Sequence, residues 1–247
     1  MRRIFVAIVV GVAILLWALW AVARWLFLGS DDKALLELAQ WGGSFGGLSA
    51  LISAAGFIAV VVSFQKQQAD QHRQRFYSNF IELLKLVREV RKDVRFRYGA
   101  AYLQHHQIKD EVQEGLRAFR AAWKEVEFYI TPTDTKEDIS SWYISRVHDR
   151  YEGNLGPYFR LLYTILNNIR EDEVLSEREK SVYGNLLRGQ LTSFELVIVG
   201  LNALDTEIAK DMWSLLVEFR VLRYIPKGSR KDVLVKCYPA EVFERRS

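Results

Sequence analysis

Charge is absent from two long runs near the start of the chain. Ile4 to Ala23 carries none, and Trp25 to Leu28 extend that run beyond Arg24. A second run lies between Glu37 and Lys66. Each is long enough to cross a hydrocarbon core of about 30 Å as a helix. The pattern predicts a first transmembrane helix over 1–28, a short outer loop over 29–40 and a second transmembrane helix over 41–64. From Gln65 to Gln74 the chain is polar, and neither Gly nor Pro occurs from Lys66 until Gly99. A stalk and first soluble helix are therefore expected over 65–98. Within it Phe76, Phe80, Leu83, Val87, Val90 and Val94 recur at alternating spacings of four and three, one apolar stripe at helical period. The stripe suits packing within one domain better than a coiled coil, being short for a heptad seam.

Further stripes predict further helices. Ile108, Val112, Leu116, Phe119, Trp123 and Val126 make one, stopped by Thr131-Pro132-Thr133-Asp134. Asp138 to Tyr151 reads as a helix, Gly153 to Pro157 as a turn, and Pro157 as the start of a helix to about Arg170. Ser176 with Glu179 has the capping-box pattern, opening a long helix to about Leu204. Asp205 can cap a last helix reaching Tyr224, which Pro226 and Gly228 end. The tail, 225–247, reads as irregular, with a short strand expected over Asp232 to Tyr238. The fold class is all-α: a two-helix transmembrane hairpin followed by a cytoplasmic helical domain over 65–247.

The glycine-rich start of the second apolar run raises the question of a phosphate loop. No Lys occurs in Trp41 to Phe64, and Gly42-Gly43-Ser44-Phe45-Gly46-Gly47 does not fit the dinucleotide fingerprint. Gly42, Gly46, Ala50 and Ala54 instead recur every four residues, widened by Gly43 and Gly47. Small residues at that spacing let a second membrane helix approach closely, so a homo-oligomer through the transmembrane helices is expected.

Charge sets the orientation. Arg2 and Arg3 precede the first run, and Lys66, Arg73 and Arg75 follow the second, while the connection holds Lys33 against Asp31, Asp32 and Glu37. Both ends are expected in the cytoplasm, in a multi-pass protein of the bacterial inner membrane. A cleavable signal peptide competes for the first run, since Ala21-Val22-Ala23 resembles a cleavage site, but bulky residues continue past it. Arg24 lies near the helix end and can snorkel to the surface. With 34 Lys+Arg against 30 Asp+Glu, the balance gives no nucleic-acid signature. The lone Cys237 forms no internal disulfide, in keeping with a reducing compartment.

Signatures of chemistry are missing. The 4 histidines, His72, His105, His106 and His148, form no metal motif, and no nucleophile elbow occurs. Asp134-Thr135-Lys136 matches only the end of a nuclease-like motif. Arg97 and His105, or Arg146 and His148, are wrongly spaced for a helical ribonuclease, and His105 and His106 read as a solvated loop. No catalytic residue, cofactor or metal site is expected. Two apolar stretches, Tyr151 to Ile169 and Tyr183 to Leu204, carry polar residues that need partners if buried: Arg160, Tyr163, Arg188, Gln190, Glu195 and Asn202. Arg160 or Arg188 could pair with Glu195 and hold two helices in register, or the group could bind a signal or partner.

These stretches carry a family resemblance. "PYFRLLYTIL", Pro157 to Leu166, and "YGNLLRGQLTSFELVIVGLNAL", Tyr183 to Leu204, resemble the phage abortive infection proteins of the AbiC-like group. So do the glycine-rich hairpin start, Gly43-Ser44-Phe45-Gly46-Gly47, and the Gln/Arg-rich stalk from Gln65 to Phe80. The resemblance spans Trp41 to Leu204. It implies antiphage defence, in which an infected cell dies or stops growing before phage are released, and it brings no catalytic residue. The expected function is non-enzymatic: the helical domain senses a phage or host trigger, and the membrane hairpin responds within the lipid. A membrane-tethered helical nuclease and a scaffold that recruits a separate effector are the alternatives.

Overall fold

The computed structural model describes residues 18, 19, 22, 32–209 and 211–244, with side chains for 18, 19, 22 and from Ser49 onward. All of the expected first transmembrane helix but residues 18, 19 and 22, and the packing of the face at Gly42, Gly43, Gly46 and Gly47, lie outside the described residues. The chain divides into two compact units, Met1–Gln68 and Ala69–Ser247.

The elements run α1 (Asp32–Asp93), β1 (Arg95–Phe96), α2 (Ala100–His106), β2 (Gln113–Glu114), α3 (Leu116–Tyr129) and α4 (Lys136–Tyr143). A π-helical turn, Ile144–His148, leads into α5 (Asp149–Glu171). Then come α6 (Glu177–Arg188), α7 (Ser193–Asn202), α8 (Thr206–Ala209), α9 (Met212–Glu218), a 3₁₀ turn Val221–Tyr224, α10 (Ser229–Val235) and a second 3₁₀ turn Ala240–Phe243. The described fold is mostly helical, as the stripes predict. Helix α1 already begins at Asp32, so residues 32–40, expected as loop, are helical. It covers Gly42, Gly46, Ala50 and Ala54, whose spacing of four sets them along one face.

Within Ala69–Ser247 the core forms around α7, which is apolar on all sides. Leu196, Val197, Ile198, Val199, Gly200 and Leu201 are all buried. Helix α3 packs most extensively against it. Of the α1 stripe, Phe80, Val87 and Val94 are buried in the same core and Phe76, Leu83 and Val90 pack against it partly buried, while Leu84, outside the expected stripe, is buried as well.

Several predicted boundaries are wrong, each for a local reason. Ile108 and Val112 belong to no helix and are exposed, because the chain turns at Gln107 (φ 52°) and forms the antiparallel pair Arg95–Glu114 and Phe96–Gln113. His105 and His106 close α2 rather than occupy a loop. Gly153 to Pro157 is helical, and the break lies earlier, at Tyr151 (φ −134°, ψ 18°). Gly153 and Pro157 are both exposed, so the carbonyl that Pro157 cannot serve faces water. The kink carries its own function in the fold. Tyr151 Oη accepts from Arg97 N at 2.9 Å and donates to Arg97 O at 2.8 Å, and Asn154 Oδ1 accepts from Arg95 N at 2.6 Å. Side chains at the start of α5 thus satisfy the edge of β1.

The long helix expected to Leu204 is two helices. The predicted box at Ser176 and Glu179 opens α6, and a second box, Thr192 with Glu195, opens α7. The last expected helix also breaks, at Arg220, whose φ is 47°. The tail is neither irregular nor a strand: α10 and the second 3₁₀ turn bury Leu234, Tyr238 and Val242, and Tyr238 Oη donates to the Gly200 carbonyl at 2.7 Å.

Candidate functional site

Glu195 is fully buried, yet it has partners from three directions. One oxygen, Oε2, closes the capping box, accepting from Thr192 N and Thr192 Oγ1, each at 2.7 Å. The other, Oε1, accepts from Tyr158 Oη on α5 at 2.6 Å and lies 2.6 Å from Arg91 Nε on α1. The Nε–H of Arg91 does not point along that contact, which is an ion pair rather than a directed hydrogen bond. Arg91 Nη2 also donates to the Gln190 carbonyl at 2.8 Å, and Arg88 Nη2 donates to Gln190 Oε1. Burial, then the charge of Glu195, hold the Tyr158 phenol well above its ordinary pKa, so it stays a donor. Three helices, α1, α5 and α7, therefore meet on one carboxyl group.

Neither pairing expected from sequence forms. Arg160 is exposed and reaches Glu152, 3.4 Å away. Arg188 is buried but turns to other groups, donating to the Arg220 carbonyl at 3.1 Å and to Asn185 Oδ1 at 2.6 Å, with its guanidinium 4.5 Å from the centre of the Tyr224 ring. The partner is Arg91, whose position in the sequence carries a signal. It lies four residues after Val87 and three before Val94, inside the apolar face.

The six polar candidates occupy three places. Glu195 and Gln190 belong to the junction with α1. Arg188 lines a small cavity of about 80 Å³ with Arg220 and Arg223. Arg160, Tyr163 and Asn202 line a larger one, about 290 Å³, with Phe159, Ile208 and Met212. At its edge Asn202 Oδ1 accepts from Tyr143 Oη at 3.0 Å.

Sequence reasoning missed a second buried carboxyl, Glu125 on α3. Its Oε2 accepts from Gly99 N at 3.0 Å, and Arg150 Nη1 stands 3.6 Å from Oε1. A Cβ on residue 99 would lie 2.6 Å from that oxygen, so the carboxylate would have to shift to admit one. Asp134 serves the turn before α4, where Thr131 N donates to it at 3.0 Å and Trp142 Nε1 at 3.2 Å. Among the described residues no three His, Cys, Asp or Glu side chains gather as a metal site.

A family model described as "Putative phage abortive infection protein" matches residues 150–230. The match bears out the resemblance over that stretch and supports a role in phage defence. It starts later than Trp41 and runs past Leu204 to residue 230. The matched segment contains Tyr158, Arg188, Thr192 and Glu195, and leaves Arg91 outside. No curated protein and no solved structure matches the chain.

Proposed function

We propose that this is a membrane-anchored, non-enzymatic abortive infection protein, in which the helical unit senses infection and α1 passes the signal to the membrane hairpin. One observation carries the proposal: Arg91, near the end of α1, is paired with Glu195 inside the segment that matches the defence family. The same helix carries the apolar run. Among the described residues, Ser49–Asp93 holds one stretch long and apolar enough to cross a membrane. Leu51, Phe57, Val60, Val62 and Phe64 are exposed there, as lipid-facing side chains are.

In this reading both termini lie in the cytoplasm. Protomers associate through the face at Gly42, Gly46, Ala50 and Ala54, and the output is membrane leakage. Phage plating with and without the gene, beside reporter fusions after Ser247 and within Ser30 to Lys33, tests it. Fewer plaques are expected, with a cytoplasm-active reporter working at the terminus and failing in the loop. Plaque numbers unchanged by the gene, or the reverse reporter pattern, overturn the reading. Restriction accompanied by RNA cleavage selects the tethered nuclease instead.

A further inference from the structure

We infer that the small cavity between the end of α6 and the Val221–Tyr224 turn is a receptor for a phosphate group. Its walls are Ser181, Asn185, Arg188, Glu218, Arg220 and Arg223, beside the Phe219 ring. The cavity is small, about 80 Å³, and has room for a group the size of a tetrahedral oxyanion.

The decisive residue is Arg188. It is only 5% exposed, yet its directed donors reach neutral acceptors alone, the Arg220 carbonyl and Asn185 Oδ1. Among the described residues no carboxylate pairs with it, and its buried Nε–H has no acceptor. A buried guanidinium without a counter-charge is costly, and the Tyr224 ring 4.5 Å away offsets only part of that cost, so the missing partner points to a ligand of opposite charge. Arg223 adds a further positive side chain to the wall, Arg220 lines it while its Nη1 donates to the Glu244 carbonyl at 3.4 Å, and Glu218 is the single carboxylate among the lining residues. The planar fork of arginine suits phosphate oxygens, which it can bind bidentately.

The backbone is shaped to the same end. Arg220 holds the left-handed conformation at φ 47°, unusual for a residue with a side chain. Its carbonyl is the group that Arg188 holds. Ser181, Asn185 and Arg188 are spaced four and three apart, which sets their hydroxyl, amide and guanidinium on one face of α6. The phosphate is carried by a free ion or small soluble metabolite, or by a lipid headgroup, and the chemistry of the cavity is the same for each.

Full-length protein in neutral detergent, titrated with sodium phosphate against sodium chloride of equal ionic strength, tests the assignment. A second arm replaces phosphate with micelles doped with phosphatidic acid. A saturable rise in melting temperature is expected in one arm, which names the source, and none in chloride. Arg223→Gln, at the half-buried edge, should melt like wild type without ligand and bind phosphate about tenfold more weakly or worse, the loss of one charge-assisted hydrogen bond. Arg188→Lys, which keeps the charge and loses the fork, should weaken binding in the same way. Equal melting in phosphate, phosphatidic acid and chloride overturns the proposal, and so does binding that Arg223→Gln leaves unchanged.

Discussion

Arg91 on α1 and Glu195 on α7 are bound at 2.6 Å across the core, and the carboxyl also takes the phenol of Tyr158 and the cap of α7. This contact joins the helix that bears the apolar run to the segment that matches the defence family. Removing Arg91 leaves Glu195 buried without its cation. Arg91→Ala should cost about 3–5 kcal/mol, and Glu195→Ala should cost as much because it also strips the cap. In melts of the full chain the drop should be roughly 10 °C, and the double variant should recover part of it. Additive losses would show that the two side chains act independently.

Acid should loosen the packing of α1 on α5 and α6. Burial alone would raise the Asp172 pKa, but His72, at 2.7 Å, and the N–H groups of Leu175 and Val174 hold it below its ordinary value. Glu179 is lowered chiefly by the Ser176 hydroxyl and N–H, with Arg73 assisting. A carboxyl with a depressed folded pKa stabilises the fold above its unfolded pKa and loses that contribution as pH falls through the folded value. The melting temperature should be flat from pH 7 to about 5 and fall below about 4. Asp172→Asn should flatten that fall, and an unaltered slope in the variant would remove Asp172 from the account.

Gly184 is required by a ring. A Cβ there would lie 2.7 Å from Phe219 Cδ1. Gly184→Ala should therefore destabilise by about 1–3 kcal/mol, although alanine is the better helix former. Phe219→Leu in the same chain should restore part of the loss. Stabilisation by Gly184→Ala alone would mean that the ring moves freely.

The tail belongs to the core. Leu234 is fully buried and within reach of Gly200, whose added Cβ would stand 3.0 Å from Leu234 Cδ2. Leu234→Ala should cost about 2–5 kcal/mol. Tyr238→Phe should cost about 1–3 kcal/mol by leaving the Gly200 carbonyl unpaired. Equilibrium melts read both, and neutral effects would return residues 225–247 to an irregular appendage. Burial also pushes the Cys237 thiol up to about 11, so thiol reagents should label it only as the tail opens.

Elements whose signal is local were legible in the sequence. The α1 stripe and the Ser176 box predict their helices because period and cap lie within a few residues of each other. The Thr192 box was equally local and follows Gly189-Gln190, but the stripe Leu187, Leu191, Phe194 and Ile198 runs in helical phase across the break and masks it. Ile108 and Val112 fell in phase with α3 by coincidence, and the short β pair that displaces them depends on contacts between separate segments. For the site, burying Glu195 and Arg188 in apolar helices was readable as a demand for partners. Which partners was not, because Arg91, Tyr158 and Arg220 are brought to them by tertiary packing. The strand expected at Asp232 to Tyr238 failed for the same reason: Val233 and Leu234 face the core from α10, and Tyr238 from the turn after it.

Membrane potential in infected cells shows whether infection sensed by the helical unit acts through the membrane helices. A potential-sensitive dye is followed through infection in cells with the wild-type gene, with Gly46→Leu at equal protein level, or without the gene. Bulk at Gly46 obstructs close helix approach. Depolarisation before phage release is expected in wild-type cells, with a sustained potential in the other two. Wild-type cells that restrict phage while their potential holds would contradict it.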